Sequence, residues 1–398
     1  MRILVVGAGI AGATVAYWLH RGGHEVTLVE RAPKLREGGY LVDFWGAGFD
    51  VAERMGIVPE LRRRGYVFTE AKVVDRAGRR IASLTPAAIM RSGERYVSIT
   101  RSDLAAAIYA ALGGSAELVL GDTVATLDDL GDRVRVSFEG GRVEDFDLVV
   151  GADGLHSRVR RLAFGPDADY EKYLGIVVAA FEVDGYRPRD ELVALMHAEV
   201  GFQVLRVSLR DDRTLVLFSV RHSGDAPHDR DAQQRLLRSK LADGGWETPA
   251  ILDRLPAAAS FYFDSVSQIR MPSWSRGRVV LVGDAGACPS FLAGQGSALA
   301  MVEAYTLAAE LARCADHTSA FVAYEQRLSG LVRSKQDGAL GLGAAFAPAN
   351  RLQLLVRNTA MKLMGLPGLA DAIMGRSFHD AVELPPFAPM RHSSGLGS

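Results

Sequence analysis

Three glycine-centred motifs are the residues of this chain whose types and spacing point most directly to chemistry. The first, Gly7-Ala8-Gly9-Ile10-Ala11-Gly12, directly follows an apolar run at residues 3–6. The second is Gly151-Ala152-Asp153-Gly154, and the third is Gly283-Asp284-Ala285 with Gly294-Gln295-Gly296 behind it. Glycines at the spacing of the first motif allow a tight turn that brings backbone N–H groups against phosphate. The first motif therefore predicts a dinucleotide-binding turn.

Each glycine of the first motif has its own steric purpose. Gly7 permits the turn, Gly9 lets the backbone approach a pyrophosphate, and Gly12 allows close contact between helix and strand. The helix that begins here, through Ile10 and Ala11, presents free N–H groups and the positive end of its dipole to the phosphates. The alternative interpretation is a glycine-rich turn that binds no ligand.

An acidic residue stands where such a unit binds a ribose. Glu30 ends the strand predicted at residues 24–29, about 20 residues beyond the glycines. Its carboxylate can accept hydrogen bonds from ribose hydroxyls and would repel a 2′-phosphate, which favours FAD or NAD over NADP at this site. Arg31, the next residue, is a further candidate contact to the cofactor.

The sequence around the motifs predicts the strands and the helix that position them. Residues 1–6 predict a buried strand and residues 12–21 a helix packed on it. Residues 147–151 predict the strand that runs into the second motif, and residues 277–282 the strand before the third. Ligands bind at the carboxyl ends of the strands in parallel sheets, which is where Asp284 is expected to lie.

The three motifs in this order resemble those of the para-hydroxybenzoate hydroxylase family, the FAD-dependent class A monooxygenases that act on aromatic rings and polyketides. In length and layout the chain is similar to the compact members, which include tetracycline-inactivating monooxygenases. The resemblance implies an α/β fold with a Rossmann-like FAD-binding domain, a substrate domain interleaved with it and built on a mixed or antiparallel β-sheet, and C-terminal helices. We expect the FAD-binding domain at residues 1–70, 100–172 and 270–330, the substrate domain at 71–99 and 173–269, the C-terminal helices at 331–384 and a flexible tail at 385–398.

The resemblance also assigns cofactor contacts outside the first motif. Arg101, in an Arg-x-x-Leu element, would reach the FAD, and Asp153 would serve both the flavin and the nicotinamide. Asp284 would hydrogen-bond the ribityl chain. The loop containing Pro289 would swing over the flavin, and Gly294, Gln295 and Gly296 would begin a helix aimed at it. Arg36 is the candidate contact to the reducing nicotinamide; the alternatives are a solvated arginine at Arg36 and a capping turn residue at Asp153.

The reaction implied by the resemblance is monooxygenation. NADPH or NADH would reduce FAD, O₂ would add at flavin C4a, and the terminal oxygen of the hydroperoxide would pass to an activated carbon of a hydrophobic small molecule, aromatic or polycyclic. The residues identify no catalytic base. Two alternatives stay open: an FAD-dependent oxidoreductase that does not activate oxygen, and a redox-silent flavin-containing cyclase of a biosynthetic pathway. A flavin-dependent halogenase is disfavoured because none of the four tryptophans forms the Trp-x-Trp pair of that group.

Between the second and third motifs the composition changes to alternating strands, predicted at residues 176–181, 192–197, 202–209 and 215–220. An apolar sheet face with a few polar groups suits a hydrophobic substrate. Five side chains are candidates for that wall, and each of them could instead belong to the core or to a solvated face: Met196, Phe202, Gln203, Phe218 and Arg221.

Composition and charge argue against several kinds of partner and binding site. The chain has 398 residues and a net charge of −1, so it lacks the basic surplus that a nucleic-acid partner would require. Two cysteines cannot build a disulfide framework or a zinc site, and we expect no metal. No apolar run approaches the ~20 residues of a membrane helix. We therefore expect a cytoplasmic protein without a membrane partner, monomeric or weakly dimeric.

Overall fold

The computed structural model describes residues 1–35, 40–85, 95–186, 192–364 and 382–387. The strands are β1 (Arg2–Val6), β2 (Glu25–Glu30), β3 (Leu41–Phe44), β4 (Glu70–Val74), β5 (Arg80–Leu84), β6 (Val97–Thr100), β7 (Glu117–Leu120), β8 (Val124–Asp129), β9 (Val134–Phe138), β10 (Val143–Phe146), β11 (Leu148–Gly151), β12 (Glu171–Asp184), β13 (Val193–Glu199), β14 (Phe202–Ser208), β15 (Arg213–Arg221), β16 (Phe261–Ile269), β17 (Ser275–Arg276) and β18 (Val279–Leu281). The helices are α1 (Ile10–Arg21), α2 (Ala47–Met55), α3 (Val58–Arg64), α4 (Arg101–Leu112), α5 (Arg158–Ala163), α6 (Arg230–Leu241), α7 (Thr248–Arg254), α8 (Asp284–Ala287), α9 (Gly296–Arg313), α10 (His317–Leu340), α11 (Gly343–Phe346) and α12 (Arg351–Met364).

A six-stranded sheet contains the strands that precede the three glycine motifs. Its order is β17-β18-β11-β1-β2-β7, and all its pairs are parallel except that of β17 with β18. The central strands β1 and β11 are almost entirely apolar, as expected of parallel strands covered on both faces. Helix α1 lies against α9, so the first and third motifs share one core.

A seven-stranded sheet follows the order β16-β12-β15-β14-β13-β4-β5. All its pairs are antiparallel except β13 with β4, so the sheet is mixed. One face packs beneath α6 and α7, where Val177 and Phe218 meet Leu237 and Ile251. On the opposite face Val178 packs with Leu292, from the loop after the third motif. This second face therefore looks toward the six-stranded sheet.

The interleaved α/β fold is confirmed, since strands of the six-stranded sheet flank those of the seven-stranded sheet along the chain. Strands β4 and β5 form an antiparallel hairpin. The strand expected at residues 176–181 is part of the longer strand Glu171–Asp184. Asp229 accepts a hydrogen bond from the Ala232 amide and caps α6.

Residues 385–387, at the start of the predicted flexible tail, contact the helices behind the first sheet. The carbonyl of Pro385 accepts a hydrogen bond of 2.7 Å from the Tyr305 hydroxyl and one of 3.2 Å from Arg54. The ring of Phe387 packs edge-on against Trp18. Because Trp18 and Tyr305 belong to α1 and α9, residues 385–387 are anchored to the helices behind the first and third motifs. Within the described ranges, no helix combines the length and apolar character needed to cross a lipid bilayer.

Candidate functional site

The three glycine motifs meet at one edge of the six-stranded sheet. Val6 at the end of β1 lies in register with Gly151 on β11, and Gly151 lies in register with Leu281 on β18. Each motif begins at the carboxyl end of its strand, as predicted. This edge is the crevice in which open parallel sheets bind their ligands.

Close backbone approaches lock the motifs together. A Cβ on Gly7, whose φ is +100°, would lie 2.6 Å from the Ala152 carbonyl oxygen of the second motif. A Cβ on Gly12 would lie 1.8 Å from the Gly7 carbonyl oxygen, and one on Gly283 would lie 3.0 Å from the Ala11 side chain. A side chain therefore does not fit at Gly7, which touches the second motif, or at Gly12, which touches Gly7 itself, and the positive φ of Gly283 favours glycine where the third motif meets the first.

Two uncapped helix ends face the same edge. The N-cap residues of α1 and α9, Gly9 and Gln295, make no side-chain hydrogen bond that caps their helices. A Cβ on Gly9 would meet no atom of the described residues within 4 Å, so the backbone there borders open space in the described part of the chain. The buried Gln295 amide nitrogen has no hydrogen-bond partner among the described residues. Free amides at these two ends fit the pyrophosphate and the electron-rich edge of an FAD molecule.

Glu30 lies beside the first motif, as its spacing predicted. One carboxylate oxygen accepts a 2.9 Å hydrogen bond from the Ala8 amide, and the other accepts one of 2.9 Å from the Ala32 amide. Glu30 therefore orders the glycine turn, and its remaining lone pairs are those available to ribose hydroxyls. Arg31 is exposed next to it, and Arg36 lies outside the described residues.

Asp153 adopts the capping arrangement that was the alternative to a cofactor contact. Its carboxylate accepts hydrogen bonds from the Ser157 hydroxyl and from the backbone amides of Arg158 and Val159. Burial raises the pKa of Asp153. The arrangement orders the second motif, and the cofactor role of Asp153 stays a prediction.

A buried arginine connects the second motif to the third. Arg160 is fully buried, forms an ion pair of 2.6 Å with Asp167, and donates a hydrogen bond of 2.8 Å to the Ala285 carbonyl. Its guanidinium also donates to the Leu155 carbonyl. Arg160 thus fixes α8, the helical turn that begins with Asp284, relative to the second motif.

The third motif contains two carboxyl groups in different surroundings. Asp284 is partly exposed at the carboxyl end of the sheet. Glu303, on α9, is buried and accepts a hydrogen bond from the Gly283 amide. Burial raises the pKa of Glu303 to about 8, and the charge of Asp284 contributes to the rise. Glu303 is therefore protonated at neutral pH and ties α9 to the Gly283 turn.

Replacing Glu303 should change how the stability of the protein depends on pH. An acid whose pKa is higher in the folded than in the unfolded state costs stability as the pH rises from about 4.5 to about 8. We expect the wild-type free energy of unfolding to fall across that window by a few kcal/mol, since one pKa unit corresponds to about 1.4 kcal/mol. In Glu303→Gln this fall should disappear.

Urea denaturation of both proteins at pH 5, 6, 7 and 8 measures the effect. Identical pH profiles for wild type and Glu303→Gln would contradict the prediction. The exposed Glu139 offers a matched control, because Glu139→Gln should leave the wild-type slope unchanged.

An aromatic and charged cluster lies between the third motif and the second sheet. The Arg101 guanidinium sits 5.3 Å from the ring centre of Tyr40, and the Tyr40 ring lies 5.2 Å from Tyr262 and 5.3 Å from Phe291. The pKa of Arg101 is raised, chiefly by Tyr40, with Asp284 among the smaller causes. The charge of Asp284 therefore acts on Arg101, although the two residues are far apart in sequence.

The same cluster contains a short chain of titratable groups. Asp264 lies 2.9 Å from His156 Nε2 and accepts a 3.3 Å hydrogen bond from the Tyr262 hydroxyl. The hydrogen bond to Asp264 raises the pKa of His156. The sequence reasoning missed Tyr262, Asp264 and His156; the alternation of residues 261–264 was the signal that could have indicated β16.

The candidate substrate residues divide between the two faces of the seven-stranded sheet. Met196, Gln203 and Arg221 share the face that carries Ile176 and Val178, as the strand registers show. Phe202 and Phe218 are on the opposite face, buried against α6 and α7. The helices cover that face, so the structure separates these two phenylalanines from the other three candidates.

The loop after the third motif is largely buried. Pro289 is buried, and its carbonyl accepts a hydrogen bond of 3.2 Å from Gln268. Gly294 has a φ of +66° and Gly296 begins α9 beside Asp284.

Within the ranges that the structure describes, no group of three or more His, Cys, Asp or Glu side chains could hold a metal ion.

Comparisons with known proteins agree with this geometry. A protein-family profile described as "FAD binding domain" matches residues 1–325. The chain is 33% identical over 392 residues to a flavin-dependent monooxygenase from an unknown prokaryotic organism, covering 97% of this chain and 99% of that protein. It is 38% identical over 340 residues to an uncharacterized protein of Mycobacterium tuberculosis, covering 84% of this chain and 91% of that protein.

A solved structure shows the same architecture. The crystal structure of tetracycline destructase Tet(51) superimposes with a TM-score of 0.82 at 32% sequence identity. The match covers 97% of this chain and 99% of that one. It therefore includes both sheets and the C-terminal helices.

Proposed function

Since this chain belongs to the family of FAD-binding flavoprotein monooxygenases, we propose that it uses NADPH or NADH and O₂ to hydroxylate a hydrophobic small molecule, aromatic or polycyclic. The overall change would convert a C–H bond, O₂, the reduced nicotinamide and one proton into C–OH, the oxidised nicotinamide and water. The aromatic cluster of Tyr40, Tyr262 and Phe291, between the cofactor edge and the second sheet, is the observation that carries the proposal.

FAD, when bound, supplies hydride acceptance and oxygen activation. The chain itself would bind and orient it: amides at the start of α1 hold the pyrophosphate, and Glu30 accepts from the ribose. Arg101 and Asp284 would hold the ribityl chain and the flavin. The amides at the start of α9 would face the electron-rich edge of the ring.

The substrate would lie between the flavin edge and the inner face of the seven-stranded sheet. Tyr40, Tyr262 and Phe291 would exclude water from that space and offer flat apolar surfaces to a ring system. Met196, Gln203 and Arg221 would form the wall on the sheet side. A proton released at a substrate hydroxyl could pass through the Tyr262 hydroxyl to the Asp264 carboxylate, and from there to the more exposed His156.

Tetracycline is the first substrate to test, because the solved relative at 32% identity is a tetracycline destructase. We expect tetracycline to accelerate NADPH oxidation by the FAD-loaded protein and to yield a product heavier by one oxygen atom. Mass spectrometry after turnover under isotopically labelled O₂ should find the label in the product. NADH in a parallel reaction identifies the preferred reductant.

Three outcomes separate the competing functions. Faster NADPH oxidation without labelled product would indicate an oxidoreductase that does not transfer oxygen. No oxidation of NADPH or NADH with any member of an aromatic and polycyclic compound panel would indicate a redox-silent flavoprotein. Labelled product from another panel member, and none from tetracycline, would keep the monooxygenase and change the substrate.

A further inference from the structure

Helix α12 crosses the corner of the seven-stranded sheet on the face proposed to line the substrate site. Its Arg357 is only 5% exposed. The guanidinium donates hydrogen bonds to the Ala345 carbonyl at 2.7 Å, to the Asn358 amide oxygen at 3.0 Å, and to the Gln203 amide oxygen. Arg357 therefore connects the C-terminal helices to the central strand β14.

The contact fixes which way the Gln203 amide points. A guanidinium can only donate hydrogen bonds, so the Gln203 atom it touches is the oxygen. The amide nitrogen of Gln203 then faces away from Arg357, and within the described part of the chain it donates to no acceptor. Ser219, directly opposite on β15, is also buried, and its hydroxyl has no partner among the described residues. Two neighbouring donors on this face are thus unused.

Arg357 also brings a positive charge. All its acceptors among the described residues are neutral, and no carboxylate there pairs with it. Burial lowers the pKa of Arg357 to about 10, so the guanidinium remains protonated at neutral pH. A cation bound to the amide oxygen polarises the amide and strengthens its N–H groups as donors.

We propose that Arg357 is a positioning residue of the substrate site, which holds the Gln203 amide with its N–H groups toward the substrate and so favours substrates that present a carbonyl or enolate oxygen there. The proposal rests on the proposed function, which places the substrate against this sheet face. Arg357 acts through Gln203 and would not touch the substrate itself. The selected class is therefore an aromatic or polycyclic compound that carries a carbonyl or enolate oxygen where it meets Gln203.

Substitutions of Gln203 and Arg357, the two ends of the contact, test this role. The experiment uses the FAD-loaded protein, and the probe is tetracycline, because its fused rings carry carbonyl and enolate oxygens. Gln203→Leu removes the donor, and Arg357→Met releases its orientation. Each should weaken tetracycline binding about tenfold, since a hydrogen bond to or through a charged group contributes on the scale of a tenfold change. The double variant should bind no more weakly than the weaker single variant, because both remove the same donor.

Gln203→Glu separates positioning from a structural role. Its carboxylate would still accept from Arg357, so the melting temperature should be kept, but it offers no N–H group and tetracycline binding should fall about tenfold. Arg351→Met, at an exposed arginine on the same helix, is the matched control and should change neither quantity. Wild-type affinity in Gln203→Glu, or effects of the two single variants that multiply in the double variant, would overturn the proposal.

A melting-temperature cycle distinguishes this failure from failure of the proposed function. If wild-type holoenzyme binds no tetracycline, the substrate suggested above is wrong. The losses in melting temperature of Gln203→Leu, Arg357→Met and the double variant then show whether Arg357 and Gln203 interact. A double-variant loss smaller than the sum supports the contact that positions the amide, and a strictly additive loss overturns it.

Discussion

Gly9→Ala is expected to leave the fold intact and to remove most of the bound FAD. The Gly9 backbone has φ −79° and ψ −167°, which alanine adopts without strain, and the new methyl would meet no atom of the described residues within 4 Å. The methyl would instead enter the space in front of α1 where the pyrophosphate must approach the backbone. Losing one charge-assisted hydrogen bond to phosphate costs about 1.5–3 kcal/mol, so FAD affinity should fall at least tenfold.

Substitutions of two further glycines serve as controls for Gly9→Ala. Gly330→Ala adds a methyl on α10 that meets no described atom within 4 Å, so FAD affinity should be unchanged, while the apoprotein should gain up to about 1 kcal/mol from replacing a glycine inside a helix. Gly12→Ala forces a Cβ against the Gly7 carbonyl oxygen, so the apoprotein itself should be destabilised. Fluorescence titration with FAD and melting of each apoprotein measure both quantities. Wild-type FAD affinity in Gly9→Ala would show that the pyrophosphate does not lie against this turn.

Asp284→Ala should produce the second large loss of FAD. Asp284 begins α8 directly after the buried strand β18, and Arg160 holds that helical turn through the Ala285 carbonyl. Its carboxylate is therefore fixed at the sheet edge while part of it remains accessible. Removing a carboxyl acceptor for a ribityl hydroxyl should cost about 1.5–3 kcal/mol, a weakening of roughly 10- to 150-fold.

The competing role for Asp284 is purely structural. In that case apoprotein melting would drop and FAD affinity, corrected for stability, would not. Asp284→Asn keeps the shape and one acceptor oxygen, so we expect it to recover part of the affinity that Asp284→Ala loses. Equal affinity of wild type and both variants would remove Asp284 from the cofactor site.

The cofactor half of the site could be predicted because its determinants are local. A strand, a glycine turn and a helix within about 20 residues leave few conformations open, and the acid at Glu30 follows at a fixed distance. The same holds for Asp284, which had to lie at the end of its strand. Local pattern did not distinguish the capping bonds of Asp153 from a cofactor contact, because both need an aspartate at a turn.

The substrate half of the site depends on contacts between distant elements, which the alternation of polar and apolar residues along a strand does not reveal. Alternation along β14 places Phe202 and Gln203 on opposite faces of the sheet. Which face is covered depends on how α6 and α7 pack on the sheet, which alternation does not show, and so Phe202 and Phe218 were grouped with residues of the other face. Arg357 gave no sequence signal, because its partner Gln203 is 154 residues away.

The order of the six-stranded sheet has a consequence for biosynthesis. Strands β1, β11 and β18 are neighbours in the sheet, but they leave the ribosome at three separate stages of synthesis, because they are residues 2–6, 148–151 and 279–281. Helix α9, which covers α1, emerges later still. The nascent amino-terminal half must therefore keep apolar strands without their final neighbours through most of translation, a situation in which chains bind chaperones. Cofactor capture is accordingly expected only after synthesis is nearly complete, and a shortage of flavin would affect newly made chains more than mature ones.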